Sequence, residues 1–192
     1  MQTAKIIHPV SLRMQFMMFR DCWHLVQYIP KSEDRISQSL IAYKQQDETI
    51  CERWNKIAAK QIVSLSIKPD YIIRALSSRE MISSGKRPLD LLCFQLAKHY
   101  GVTYNPYLLM KKDFHRPLHG LTKKKRMEEL QGKYVFNMMH AEKERPAILI
   151  IDDIVTTGTT MIAIREAIKE LLPRCDCYFF AFAKTLGNIS WK

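Results

Sequence analysis

The order of apolar and polar positions changes character about a third of the way along the chain. From Val10 to Tyr28 apolar and aromatic residues crowd together, with Met14, Phe16, Met17, Met18, Phe19, Trp23, Leu25 and Val26. That spacing predicts a packing helix, and Pro30 stops it. Ser32 suits the N-cap of a second helix, which carries Ile36, Leu40, Ile41 and Tyr43. A third helix is predicted from Asp47 to Leu65, with Ile50, Trp54, Ile57, Ala58, Gln61 and Ile62 along one stripe.

Beyond Pro69 short apolar runs begin to alternate with helical patterns. Residues 70–76 read as a buried strand, followed by a polar loop at Ser77-Ser78-Arg79-Glu80. Arg87 to Tyr100 reads as a helix closed by Gly101. Val102 to Met110 is a second strand candidate, placed at an edge by Asn105-Pro106. Residues 111–125 lack an apolar period and form a predicted loop, with a helical piece over 122–130. After Pro146, Ala147-Ile148-Leu149-Ile150-Ile151 is the clearest strand in the chain. A helix over 159–172, ended by Pro173, and a strand over 176–184 complete the series. Strand, loop, helix and strand in repetition predict an α/β fold with a mostly parallel central sheet flanked by helices. The first third adds an all-helical N-terminal cap. We expect one domain over residues 1–192, with the cap or hood at about 1–66 and the α/β core at about 67–192.

Composition narrows the picture. At 192 residues and 47% hydrophobic, the chain can bury one sizeable core. No apolar run reaches the roughly 18 residues a membrane span needs, and no secretory signal pattern opens the chain, so a soluble cytoplasmic protein is expected. Five cysteines (Cys22, Cys51, Cys93, Cys175 and Cys177) are scattered without a CxxC pair, which disfavours a disulfide framework or zinc ribbon. Cys175 and Cys177 would share one face of a strand, as small buried residues or as a metal or redox pair. The net charge of +11 favours polyanionic partners without choosing among them.

The chemistry concentrates at Ile150-Ile151-Asp152-Asp153-Ile154-Val155-Thr156-Thr157-Gly158-Thr159-Thr160. An apolar strand there delivers two adjacent carboxylates to its C-terminal end, where ligands bind in open α/β sheets. A Thr/Gly-rich turn then opens a helix, whose first N–H groups and positive dipole end make an anion site. Gly158 permits close backbone approach, and the threonine hydroxyls add donors. Carboxylates facing a phosphate would repel it, so they fit acceptance from hydroxyls such as a sugar diol. A phosphate cradle beside a diol acceptor describes a ribose 5-phosphate site. The Walker lysine and the GxGxxG spacing are both missing from it.

This stretch resembles the phosphoribosyl pyrophosphate (PRPP) signature of type I phosphoribosyltransferases. The resemblance implies that Asp152 and Asp153 hold the ribose hydroxyls and act in catalysis. It implies that Thr156, Thr157, Gly158, Thr159 and Thr160 wrap the 5-phosphate. Ser37 to Lys44 (SQSLIAYK), the strand at 70–76 and the 111–136 segment resemble the competence-associated, ComF-type branch. Two features depart from that branch: its cysteine-rich zinc module is missing, and Ala75-Leu76-Ser77-Ser78-Arg79 stands where a Pro-Val-Pro-like loop is usual. Ser77, Ser78 and Arg79 are then the candidates for binding pyrophosphate. Thr156 also occupies the position where 6-oxopurine enzymes carry an acid that helps deprotonate the base, leaving amine, adenine-like or other acceptors open.

The resemblance further implies Mg²⁺ bound together with PRPP, with no direct protein ligand. It implies PRPP and a small-molecule acceptor as partners, and a homodimer. Lys111, Lys112 and Arg116 belong to a basic run that is either a mobile loop closing over PRPP or a solvated charged loop. His115 and His119 in it either assist proton transfer or lie at the surface. Two function classes follow. One is a transferase that moves the 5-phosphoribosyl group to an acceptor and releases pyrophosphate. The other is a catalytically inactive PRPP-binding or nucleic-acid-associated competence or regulatory protein.

Overall fold

The structure is a computed structural model and describes residues 21–30, 33–113, 121–138 and 143–185. Its centre is a four-stranded sheet of β1 (Asp21–Tyr28), β6 (Asp176–Thr185), β5 (Ala147–Val155) and β2 (Tyr71–Arg74), in that spatial order. All three pairings are parallel. A separate antiparallel ribbon joins β3 (Leu109–Lys111) to β4 (Tyr134–Phe136). The helices are α1 (Arg35–Lys44), α2 (Glu48–Val63), α3 (Pro88–Tyr100), α4 (Lys123–Leu130) and α5 (Thr159–Leu171).

Both faces of the sheet are covered, so its strands are continuously apolar rather than alternating. Ile148 and Ile150 of β5 join Phe179 of β6 and Ile73 of β2 in one core, against α5 and the ribbon. Leu149, Ile151, Phe180, Phe182 and Ile72 point the other way into a second core with α1, α2 and α3. Trp54 of α2 stacks on Phe182, with ring centroids 5.6 Å apart. Tyr43 of α1 meets the same ring edge-on at 4.9 Å. The mostly parallel α/β architecture expected from the sequence is therefore present.

The first expected helix is corrected over its described part. Residues 21–28 form an edge strand that pairs in parallel with β6, from Asp21 opposite Tyr178 to Tyr28 opposite Thr185. A short apolar run is compatible with either periodicity, and the open edge of β6 supplies the partner that decides it. The N-terminal third is thus not all helical. The second helix is capped by Asp34, whose carboxylate accepts from the N–H groups of Ile36 and Ser37. The strand expected over 102–110 shrinks to Leu109–Lys111. There the Asn105-Pro106 turn prevails, with the Asn105 side chain accepting from Tyr107 N–H at 2.9 Å. Strand β4 has no counterpart in the sequence reading. Gly101 closes α3 in the left-handed conformation, at φ 70°, as expected. All five cysteines are free, and the Cys175 and Cys177 sulfurs lie buried 3.5 Å apart on one face of β6 and its approach. Among the described residues no helix is long and apolar enough to cross a membrane.

Candidate functional site

At the C-terminal ends of β2 and β5 lies a cleft of about 900 Å³. Parallel strands expose their last carbonyls and following loops there, so side chains from distant segments converge. Strand β5 contributes Asp152 and Asp153, and the turn after it contributes Thr156 and Gly158 to Thr160. The loop after β2 forms the facing wall with Ser77, Ser78 and Arg79. Lys44 at the end of α1 and Arg126 of α4 also line the cleft.

The acid pair is under electrostatic tension. Asp152 Oδ1 accepts from Asp153 N–H at 2.8 Å, and Asp153 Oδ1 accepts from Ile154 N–H at 2.5 Å. Burial, then the neighbouring Asp153 charge, pushes the Asp152 carboxyl up to about 7, and Lys44 opposes the shift. Lys44 Nζ stands 3.5 Å from Asp153 Oδ1, with its own side chain half exposed. One cation on a flexible, solvated stem only partly offsets two adjacent carboxylates.

The turn after the pair is built for close approach. Gly158 has φ 74° and stands at the N-cap of α5. A residue with a Cβ is strained in that conformation, which explains the glycine. No side chain caps the helix, so its first N–H groups are left for a ligand or water. The Thr157 and Thr159 hydroxyls are 3.2 Å apart. Thr157 does not line the cleft, unlike the other residues of the predicted phosphate loop. Arg126 Nη1 donates to the Thr156 hydroxyl at 2.7 Å, and its Nε donates to the Leu121 carbonyl at 3.0 Å.

The facing loop is held by a buried ion network. Arg74, 3% exposed, ends β2 and donates to both oxygens of Asp90 and of Glu80 over 2.6–3.1 Å. Asp90 is 0% exposed and also accepts from Ser83 Oγ at 2.5 Å, Tyr104 Oη at 2.6 Å and Arg87 N–H at 3.0 Å. Glu80 accepts from Ser77 N–H at 2.8 Å and is ion-paired with Arg87, whose Nε lies 2.8 Å from Oε1. Burial would raise both carboxyls, but the Arg74 guanidinium and the surrounding donors hold them below their ordinary range. The result fixes the backbone of residues 74–80 and leaves Ser77 and Arg79 exposed toward the cleft.

The basic run is divided. Lys111 does not belong to a mobile loop: it is a strand residue, 3% exposed, whose Nζ donates to the Ser77 carbonyl at 2.5 Å. Lys112 is exposed, pairs its N–H with the Lys133 carbonyl at 2.8 Å and does not line the cleft. Arg116, His115 and His119 lie outside the described residues. The sequence reading did not assign Lys44 to the site, and it met Arg126 only as the last cation of the basic run over 111–126, either a loop closing over PRPP or a solvated one. Their convergence depends on which helix ends meet at the cleft, and no local pattern encodes that.

Among the described residues, no cluster of three or more His, Cys, Asp or Glu side chains could hold a metal ion. The acid pair alone is a partial site. It would suit a divalent ion that arrives with oxygens from a ligand and keeps its waters.

No protein-family model matches the chain, and no curated protein matches it in sequence. Solved structures do. The Helicobacter pylori xanthine-guanine-hypoxanthine phosphoribosyltransferase aligns at 14% identity and TM-score 0.45, over 74% of this chain and 87% of that one. The adenine phosphoribosyltransferase of Leishmania tarentolae aligns at 10% and 0.47, over 82% and 91%. That of Saccharomyces cerevisiae aligns at 18% and 0.41, over 73% and 71%. A likeness of this size assigns no residue a role.

Proposed function

We propose that the cleft binds PRPP and that the protein is a phosphoribosyltransferase, passing the 5-phosphoribosyl group to a small-molecule acceptor with release of pyrophosphate. One observation carries this reading. An adjacent acid pair at the end of a central parallel strand stands immediately before an uncapped helix N-terminus with glycine at its N-cap, across one cleft from a rigid Ser/Arg loop.

Asp152 and Asp153 accept hydrogen bonds from the ribose hydroxyls, which their mutual repulsion makes welcome. Residues 156–160 and the start of α5 take the 5-phosphate, and Arg126 steadies that loop through Thr156. Ser77, Ser78 and Arg79 receive the pyrophosphate. In the reaction, the acceptor forms a bond to C1 as the C1–oxygen bond breaks, and the electron pair departs with pyrophosphate. The acceptor proton passes to solvent. The protein's part is to position both ends of PRPP and to stabilise the leaving charge. Mg²⁺ would be held by PRPP oxygens and water beside Asp152 and Asp153, where it would neutralise charge on the leaving group.

The test is a thermal-unfolding titration with PRPP, with and without Mg²⁺. PRPP at about 100 times its dissociation constant should stabilise the wild type by roughly 2.7 kcal/mol. The Asp152→Asn/Asp153→Asn double variant should fold and lose that gain. No stabilisation of the wild type by millimolar PRPP, with or without Mg²⁺, overturns the reading.

A further inference from the structure

Lys111 stands out because a lysine is rarely so deeply buried. It makes two separate contacts with one loop. Its backbone N–H donates to the Met81 carbonyl at 2.7 Å, and its ammonium reaches the Ser77 carbonyl at 2.5 Å. A single residue of the ribbon therefore holds both the start and the end of the Ser77–Met81 turn. The same ammonium lies 5.5 Å from the centre of the Tyr134 ring. Ser77 itself faces the cleft, so the charge sits directly behind the wall assigned to pyrophosphate.

A simple structural strut does not need a charge there. A methionine or leucine would fill the space at lower desolvation cost, and the backbone bond to Met81 would remain. The carbonyl of Ser77 accepts from the Lys111 ammonium and from Glu80 N–H at 3.0 Å, which occupies its lone pairs and keeps them from opposing an incoming anion. We infer that Lys111 is a positioning residue for pyrophosphate: its buried ammonium occupies the Ser77 carbonyl and puts a positive charge behind the Ser77–Arg79 wall. The inference rests on the PRPP reading of the cleft and adds a residue and a pH response to it.

The surroundings support that response. Burial is the largest influence on Lys111 and lowers its ammonium to about 8, with Glu80 opposing the shift and Arg74 and Lys133 reinforcing it. Tyr134 also packs on it, and burial keeps that phenol neutral. An anion bound on the loop favours the charged ammonium. Near pH 8 the free protein is partly deprotonated at Lys111, and binding should draw a proton in. Below about pH 7 the lysine is already charged, and no proton is taken up.

Inorganic pyrophosphate with Mg²⁺ is the probe, read by titration calorimetry at pH 8 in buffers of differing ionisation enthalpy. The full chain is compared with Lys111→Arg and Lys111→Met. Wild type should take up about half a proton more than Lys111→Arg, whose guanidinium stays charged throughout. At pH 7 Lys111→Met should bind about tenfold more weakly, and Lys111→Arg should recover most of the affinity. Should Lys111→Met fail to fold, the wild type and Lys111→Arg still decide through their proton difference. Equal proton uptake by those two, with pyrophosphate bound by both, overturns the Lys111 inference and leaves the cleft assignment standing. Failure of wild type to bind pyrophosphate or PRPP at all overturns both.

Discussion

Two groups of carboxylates, one buried around Arg74 in and behind the cleft wall and one lining the cleft, are treated in opposite ways. Asp90 and Glu80 are buried with Arg74 between them, and hydroxyl and N–H donors occupy their remaining lone pairs. Asp152 and Asp153 stand side by side with a half-exposed Lys44 at 3.5 Å as their counter-charge. The first group sits below its ordinary ionisation range, whereas Asp152 is pushed up to about 7. Acids whose needs are met inside the fold hold its shape. Acids left in tension, with one flexible cation and backbone N–H groups only partly offsetting their charge, are the ones that a ligand or ion arriving from outside would stabilise.

The contrast can be broken most forcefully at Arg74. Replacing it in Arg74→Met leaves two buried carboxylates without their counter-charge and should destabilise the fold by about 3–5 kcal/mol. Urea unfolding at pH 7 measures this, and a loss under about 1 kcal/mol would contradict the network's role. The same network should lose its contribution as pH falls below about 4, because its acids ionise more readily folded than unfolded.

Asp152→Asn should move stability the other way. Asp152 binds its proton more tightly in the folded state than its ordinary 3.8 would suggest, so the free protein loses stability as pH rises from about 4 to 7. The asparagine variant escapes that loss. It should be about 1–3 kcal/mol more stable than wild type above pH 7, with the gain vanishing below about pH 4. Its unfolding midpoint across that range is the measurement. A destabilised variant at pH 8 would mean the pair is satisfied internally.

Arg126→Met sharpens the comparison at its smallest scale. The guanidinium is half-buried and joins Thr156 to the Leu121 carbonyl without supporting the core. Stability should change by no more than about 0.5 kcal/mol, while PRPP affinity falls about tenfold as a charge-assisted contact at the phosphate loop is lost. Paired unfolding and titration experiments separate the two effects. An unchanged affinity would remove Arg126 from the site.

Some of this was legible along the chain. The run from Ala147 through Thr160 reads directly as strand, acid pair, turn and helix. Each step there rests on neighbours in sequence: continuous apolar burial, a glycine at positive φ, and a helix start. Helices α2 and α3 were equally clear, from their stripes and from Gly101. The loop after β2 was singled out only through the family resemblance; its place opposite the acid pair follows from the pairing of β2 with β5, which the structure supplies.

Other features needed the whole fold. Residues 21–28 became a strand because β6 offered them an unpaired edge, a partner about 155 positions away. Lys111 read as part of a basic loop, because a lysine before a charged run is ordinarily solvated. It is buried because the β3–β4 ribbon folds against the Ser77–Met81 turn. Lys44 and Arg126 entered the cleft through the ends of two helices that share no sequence pattern with the acid pair. The sequence by itself determined the parallel α/β plan and the strand-turn-helix at its centre, since burial periodicity and backbone geometry are local. Which charges meet across the cleft was decided only by tertiary structure, because Coulomb interactions depend on distances in space that spacing along the chain does not specify.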